Sequence, residues 1–140
     1  MEDIFQFNLP RNLQANPLDE LELDIITQKL GEEVVLRNVS FSSNSYSLEK
    51  GSFVELDRLI NYLNKNPDVQ IEIQGHTDNL GNYIDNQILS KKRAETVFEY
   101  LRIRVGNNLS YKGFGESVPL ESNATEKGRK KNRRTSFVVN

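Results

Sequence analysis

Two side chains of opposite charge flank one turn in "GHTDNLGNYIDNQILSKKRAETV" (75–97): Asp78 lies in the turn and Arg93 in the helix-like segment behind it. At about 100° per residue, Asn86, Leu89, Ser90, Arg93 and Val97 fall on a single helical stripe. Leu89 and Val97 are apolar, so that stripe borders a buried face. A guanidinium on such a border needs a partner or a ligand, because an unpaired desolvated charge is costly. Asp78 is the natural neighbour. The start of the helix adds free backbone N–H groups and a positive dipole end, both suited to a carboxylate. Acid, base and amides around one mouth suit the head of an amino acid, with its ammonium to Asp78 and its carboxylate to Arg93 and the amides. The same pair would serve equally as a structural salt bridge pinning turn to helix. On physical grounds both readings stay open.

The elements that must position these groups can be read from apolar periodicity. Residues 1–20 contain Pro10, Pro17 and several Asn and Gln without a sustained period, the pattern of an arm or linker. "LELDIIT" (21–27) alternates as a half-exposed strand, and "EVVLRNVSF" (33–41) is a second strand rich in β-branched residues. Phe53, Leu56, Ile60 and Leu63 then form one apolar helical stripe, with Ser47 as expected N-cap and "NKNPD" (64–68) as the stop before Pro67. Val69, Ile71 and Ile73 alternate with polar residues in a strand that ends at Gly75. A second helix is expected from about Tyr83 to Arg104, closed by Gly106. "LSYKGFG" (109–115) reads as a strand, "ESVPLESNAT" as a loop, "TEKGRKKN" as a short basic helix and "RRTSFVV" as a final strand. From position 33 the order is β-α-β-α-β-(α)-β. It predicts an α+β sandwich with helices packed on one face of a mixed sheet.

Composition excludes several function classes. The 140 residues suffice for one core, and 36 % apolar with 27 % charged residues is the balance of a globular chain. No window approaches the roughly 18 apolar residues of a membrane span. "MEDIFQFNLPRNLQ" has neither the basic nor the apolar region of a signal peptide, although a chain trimmed from a longer exported protein would look the same. With no cysteine and one histidine, neither a disulfide framework nor a zinc site is expected.

Other conspicuous residues carry weaker signals. His76, Asp78 and Ser90 lack the geometry of a hydrolytic triad, and Ser90 sits on no strained elbow. His76 is expected to be structural and hydrogen-bonded into the turn. "GFGES" lacks the third glycine of a dinucleotide fingerprint; Gly113 and Gly115 instead suit close backbone approach or positive φ. "KGRKKNRR" (127–134) holds six basic residues, but the net charge of −2 and the absence of interleaved aromatics argue against nucleic acid. Most of these charges read as a solvated helix face. Tyr83 is a candidate for the rim of the mouth.

In order and spacing, "GHTDNLG", "NQILSKKRAETVFEYL", "GFGESVPLESNAT" and "GRKKNRRTSFVV" resemble the successive signatures of the OmpA-like C-terminal domain, a peptidoglycan-binding module. The resemblance covers residues 34–139, within a domain expected over 21–140. It implies a non-catalytic module that holds the diaminopimelate residue of the peptidoglycan stem peptide and anchors an envelope protein. The family's Asp falls on Asp78, in the "TD" pair, and its Arg on Arg93, in "LSxxRA". Asn86 would support the turn or the ligand, Thr77 would offer a hydroxyl or amide, and Arg133 would make a second carboxylate contact. Arg134 is expected to pair with acids on the sheet, and "FSSNSYS" to form the facing wall. Many members carry an acid where this chain has Ser42, which leaves the contacts of that wall open. The resemblance further implies no cofactor, no metal, a monomeric domain, and a location at the periplasmic face of the outer membrane of a diderm bacterium. The alternative is a protein–protein interaction domain of the same fold, in which Asp78 and Arg93 are only structural.

Overall fold

Four segments with alternating apolar residues join into one sheet in the computed structural model, which describes residues 31–140. The arm at 1–20 and the strand expected at 21–27 lie outside the described residues. The strands are β1 (Glu33–Val35), β2 (Ile71–His76), β3 (Leu109–Gly115) and β4 (Arg134–Val139), in the spatial order β1-β4-β2-β3. β2 and β3 run parallel, whereas β4 is antiparallel to both β1 and β2. Between them lie α1 (Ser52–Lys65), α2 (Tyr83–Arg102) and α3 (Glu126–Asn132). The β-α-β-α-β-α-β order, the mixed sheet and the α+β class are those expected from the sequence.

The core follows from the two periodicities. Leu56, Leu59, Ile60 and Leu63 of α1 and Ala94, Val97 and Leu101 of α2 pack with Val34, Ile71, Ile73 and Phe137 of the sheet. These strand residues share one face because side chains alternate with period two. The two longer helices therefore cover a single face of the sheet.

α2 lies unusually close to its strands. Gly75 and Gly113 are register partners in the parallel β2–β3 ladder. A Cβ on Gly75 would collide with the Ser90 carbonyl oxygen, and one on Gly113 with the Lys91 backbone nitrogen. Polar bonds fix the same contact. The Gly115 amide donates to Ser90 Oγ (2.8 Å), and Gln87 Nε2 donates to the Gly113 carbonyl (2.6 Å). Gly115 itself has φ +56.

Three local expectations are corrected. The strand expected over 33–41 stops at Val35, because the chain turns to bond α1 instead: the Asn38 amide donates to Glu55 and the Ser40 amide to Ser52 Oγ. Ser47 does not cap α1; the helix begins five residues later at Ser52, after Gly51. Gly106 does not close α2, which ends at Arg102 with Ile103 in a right-handed conformation and the Arg104 and Val105 amides bonded to Leu101 O.

A buried polar cluster ties the outer face of the sheet together. Arg134 Nε donates to Glu33 Oε2 (2.7 Å), joining β4 to β1 as expected of Arg134. His76 stacks on Phe114 with ring centroids 5.1 Å apart, and its Nε2 lies 3.7 Å from Glu33 Oε2. Neither ring nitrogen has a hydrogen-bond partner, so His76 is structural but not bonded into the turn. Burial, reinforced by the Arg134 charge and opposed by Glu33, lowers its pKa to about 4. Burial raises that of Glu33, but the hydrogen bonds and charge of Arg134 prevail and hold it below the ordinary carboxylate value.

Two predictions follow from this packing. Gly113→Ala and Gly75→Ala should each destabilise the fold by at least ~1–3 kcal/mol, because rigid backbone must move. Gly51→Ala, where a Cβ meets nothing within 4 Å and φ is −63, should be neutral or stabilising by up to about 1 kcal/mol. Urea denaturation of the three variants reads this difference. The second prediction concerns acid. The unfolded chain protonates His76 near pH 6.5, whereas the folded chain does so only near 4. Stability is therefore full above pH 6.5 and falls as pH drops towards 4, by on the order of 3 kcal/mol. His76→Phe should flatten that slope in denaturation curves taken from pH 7 to 4. The Glu33–Arg134 pair loses its contribution at still lower pH.

Candidate functional site

The turn after β2 is held by its own polar groups. The Thr77 amide donates to Gly115 O (2.8 Å), extending the parallel pairing past the strand end, and Thr77 Oγ1 donates to Asp78 O (2.8 Å). Asp78 Oδ1 accepts from the Leu80 amide (3.0 Å), a turn that aspartate makes readily. Asn82 caps α2, its side chain accepting from the Ile84 and Asp85 amides. Asn86 Nδ2 donates to Leu80 O (2.9 Å) and reaches Asp78 O and Glu116 at 3.4 Å. Asn86 thus braces the turn.

Asp78 is 7 % exposed, and its cationic partner is not Arg93. Arg133, at the junction of α3 and β4, donates from Nη1 to Asp78 Oδ2 (2.6 Å) and from Nη2 to Glu126 (2.7 Å). Glu126 first and Asp78 second hold the Arg133 pKa above its ordinary value. The structural salt bridge between Asp78 and Arg93, one of the two readings left open by the sequence, does not form.

Arg93 is half-buried, and burial lowers its pKa. Its Nε donates to Ser45 O (2.8 Å), Nη2 lies 3.5 Å from Ser42 O, and the guanidinium carbon sits 5.0 Å from the centre of the Phe41 ring. Among the described residues no carboxylate pairs with it. These bonds fasten the 41–48 loop to α2. That loop closes on itself through the Phe41–Leu48 bridge and the Ser42 amide bond to Ser47 O (3.2 Å). It forms the wall expected of "FSSNSYS", presenting backbone carbonyls where Ser42 replaces the family's acid.

Thr77, Asp78, Asn86, Arg93 and Arg133 all line one open cleft of about 560 Å³ at the end of the sheet where β2 stops and β4 begins. The sequence-identified residues are thus brought together. Tyr83 is not among them; it is 58 % exposed and outside the cleft. The lining also includes Phe41 of the expected wall, together with Arg37 and Lys130, which the sequence did not single out. Lys130 sat within the basic run read as a solvated face. Its placement depends on how α3 docks, and no local pattern encodes that. The cleft has cations, carbonyls and one carboxylate, an arrangement that binds a zwitterion or an anion by charge-assisted hydrogen bonds. Among the described residues no group of three or more His, Asp or Glu could hold a metal ion, and no helix is long and apolar enough to cross a membrane.

Comparison with known proteins gives a consistent family. The OmpA family pattern matches residues 40–133. The peptidoglycan-binding protein ArfA of Mycobacterium tuberculosis is 38 % identical over 104 residues, covering 73 % of this chain and 32 % of that protein. The chain therefore spans about a third of the length of that protein. Among solved structures, the peptidoglycan-associated lipoprotein of Burkholderia pseudomallei superposes with a TM-score of 0.66 at 32 % identity, covering 73 % of this chain and 88 % of that one. The cell wall anchor of the T6SS from Pseudomonas aeruginosa gives a TM-score of 0.66 at 26 % identity, over 85 % and 92 %. With the fold, the ordered motifs and the match across most of its length in agreement, this chain belongs to the OmpA family.

Proposed function

We propose that this domain is a non-catalytic anchor that binds peptidoglycan by holding the diaminopimelate residue of its stem peptide. One observation carries the reading: among the described residues Arg93 reaches the cleft with no carboxylate partner, while Asp78 lines the same cleft without bonding to it. The direct pin between the two, the alternative that the sequence left open, does not account for their shared position. Diaminopimelate ends its side chain in an ammonium and a carboxylate, the pair of charges these residues complement. In this reading Asp78 takes the ammonium, and Arg93 takes the carboxylate with the free N–H groups of its fork, supported by Arg133. Phe41 and Leu89 flank the methylenes, and Thr77 and Asn86 hold the turn in shape. No bond is made or broken, so the site needs no nucleophile or cofactor.

Support also comes from relatives whose names describe peptidoglycan binding, peptidoglycan association and cell wall anchoring. By the same reading the domain acts as a monomer at the periplasmic face of the outer membrane. Individual charge-assisted bonds contribute about 1.5–3 kcal/mol before ordering costs, so one site is weak to moderate and firm anchoring arises from many copies on a polymeric wall.

NMR titration with a diaminopimelate-containing stem peptide should shift resonances at 77–93 and around Arg133. Asp78→Asn and Arg93→Lys should each weaken binding roughly 10- to 100-fold while the spectra stay folded, because a ligand charge loses its geometric partner. A folded wild type that shows no shifts would reject the reading and turn the search to protein partners. A lysine-type stem peptide lacks the distal carboxylate and leaves Arg93 facing nothing. It should bind at least about tenfold more weakly in the same titration.

A further inference from the structure

The cleft carries more positive charge than an amino-acid head can neutralise. Arg37, Arg93, Lys130, Arg133 and Arg134 line it against a single acid, Asp78. Most of that charge is matched within the protein. Arg134 is bonded to Glu33, and Arg133 to Asp78 and Glu126. Arg37 also has a partner. Arg93 and Lys130 are cleft cations for which no carboxylate partner is found among the described residues.

A bound zwitterion answers only the first of these. Its carboxylate faces Arg93 and its ammonium faces Asp78, which adds no net charge to the cleft. Lys130 still lacks a counter-charge. Lys130 is exposed at the cleft edge, and the backbone that carries it is fixed. Thr125 caps α3 by accepting from the Gly128 amide, and the Asn132 side chain makes four hydrogen bonds to residues 120, 121 and 123. Gly128 sits so close to the Ser122 carbonyl that a Cβ there would collide with it. A helix clamped in this way holds its lysine at the cleft edge without a further ordering cost for the backbone.

Building on the diaminopimelate reading, we infer that Lys130 is a second anion contact and that the ligand carries a second free carboxylate beside the diaminopimelate head. The stem peptide offers that group from two sources, the α-carboxylate of the γ-linked glutamate and the carboxylate of the terminal alanine. Lys130 makes the domain a reader of stem-peptide charge: amidation of the neighbouring carboxylate weakens binding, although the diaminopimelate head is untouched.

Calorimetric titration with three synthetic tetrapeptides (L-Ala-γ-D-Glu-diaminopimelate-D-Ala unmodified, amidated on the glutamate, and amidated at the terminal alanine) tests this. One amidated peptide should bind the wild type roughly 2- to 5-fold more weakly than the unmodified one, the range for a partly exposed ion pair, and 0.5 M NaCl should narrow that gap. Lys130→Ala should abolish the discrimination and leave affinity for the weakened amidated peptide unchanged. Lys130→Arg should restore it. The peptide that loses affinity identifies the carboxylate. Equal binding of all three peptides by the wild type, or discrimination that survives Lys130→Ala, overturns this inference and leaves the diaminopimelate site standing. Failure of all three to bind overturns both.

Discussion

The backbone contact between α2 and the paired glycines of β2 and β3 is the constraint on which the rest of this structure depends. Gly75 and Gly113 sit side by side in the ladder, and the α2 backbone at Ser90 and Lys91 occupies the space their side chains would fill. Such an approach fixes the helix along its axis and about it, because a shift either way meets rigid backbone. Arg93 lies one turn beyond this contact and Asn86 one turn before it. The turn that bears Asp78 leaves β2 one residue after Gly75. Cleft geometry is therefore inherited from helix docking, and the bonds from Ser90 and Gln87 to β3 complete the register.

Electrostatics then divides the charged residues into two groups. Glu33 with Arg134, and Asp78 and Glu126 with Arg133, are satisfied inside the fold. Arg93 is held by carbonyls, which orient a guanidinium without neutralising it. A carbonyl leash differs in effect from a salt bridge. It lets a half-buried cation keep its charge available while its side chain stays ordered, so that an incoming anion meets a preorganised donor.

The fold was largely legible because its helices and strands carry clean periods, and the glycine and proline punctuation lies where the chain turns. That Asp78, Arg93, Thr77, Asn86 and Arg133 line one cleft was legible through ordered motifs. The pairing among them was not. Asp78 meets Arg133, 55 positions away, and only the antiparallel return of β4 beside β2 places that arginine at the turn. Lys130 and Arg37 escaped notice for a related reason: neither a cation in a basic run nor a single one beside a short strand has a local mark that distinguishes a cleft edge from open solvent. The error at Ser47 arose where a tertiary bond replaced the local cap, and that at Gly106 where the helix closed on its own last turn. Ser52 is engaged with Ser40, and α2 closes through Leu101 without a left-handed residue.

The shortest strand sets the mechanical character of the domain. β1 enters at Glu33, opposite Val138 near the far end of β4, and runs towards the cleft, where Val35 meets Ser136. A pull applied to the chain ahead of Glu33 and one applied to an occupant of the cleft beyond His76 would thus act at opposite ends of the sheet. Tension between them runs along the strands, across ladder hydrogen bonds that lie perpendicular to it. Those bonds, with the Arg134–Glu33 clasp beside them, share the load together in shear instead of opening one after another like a zipper.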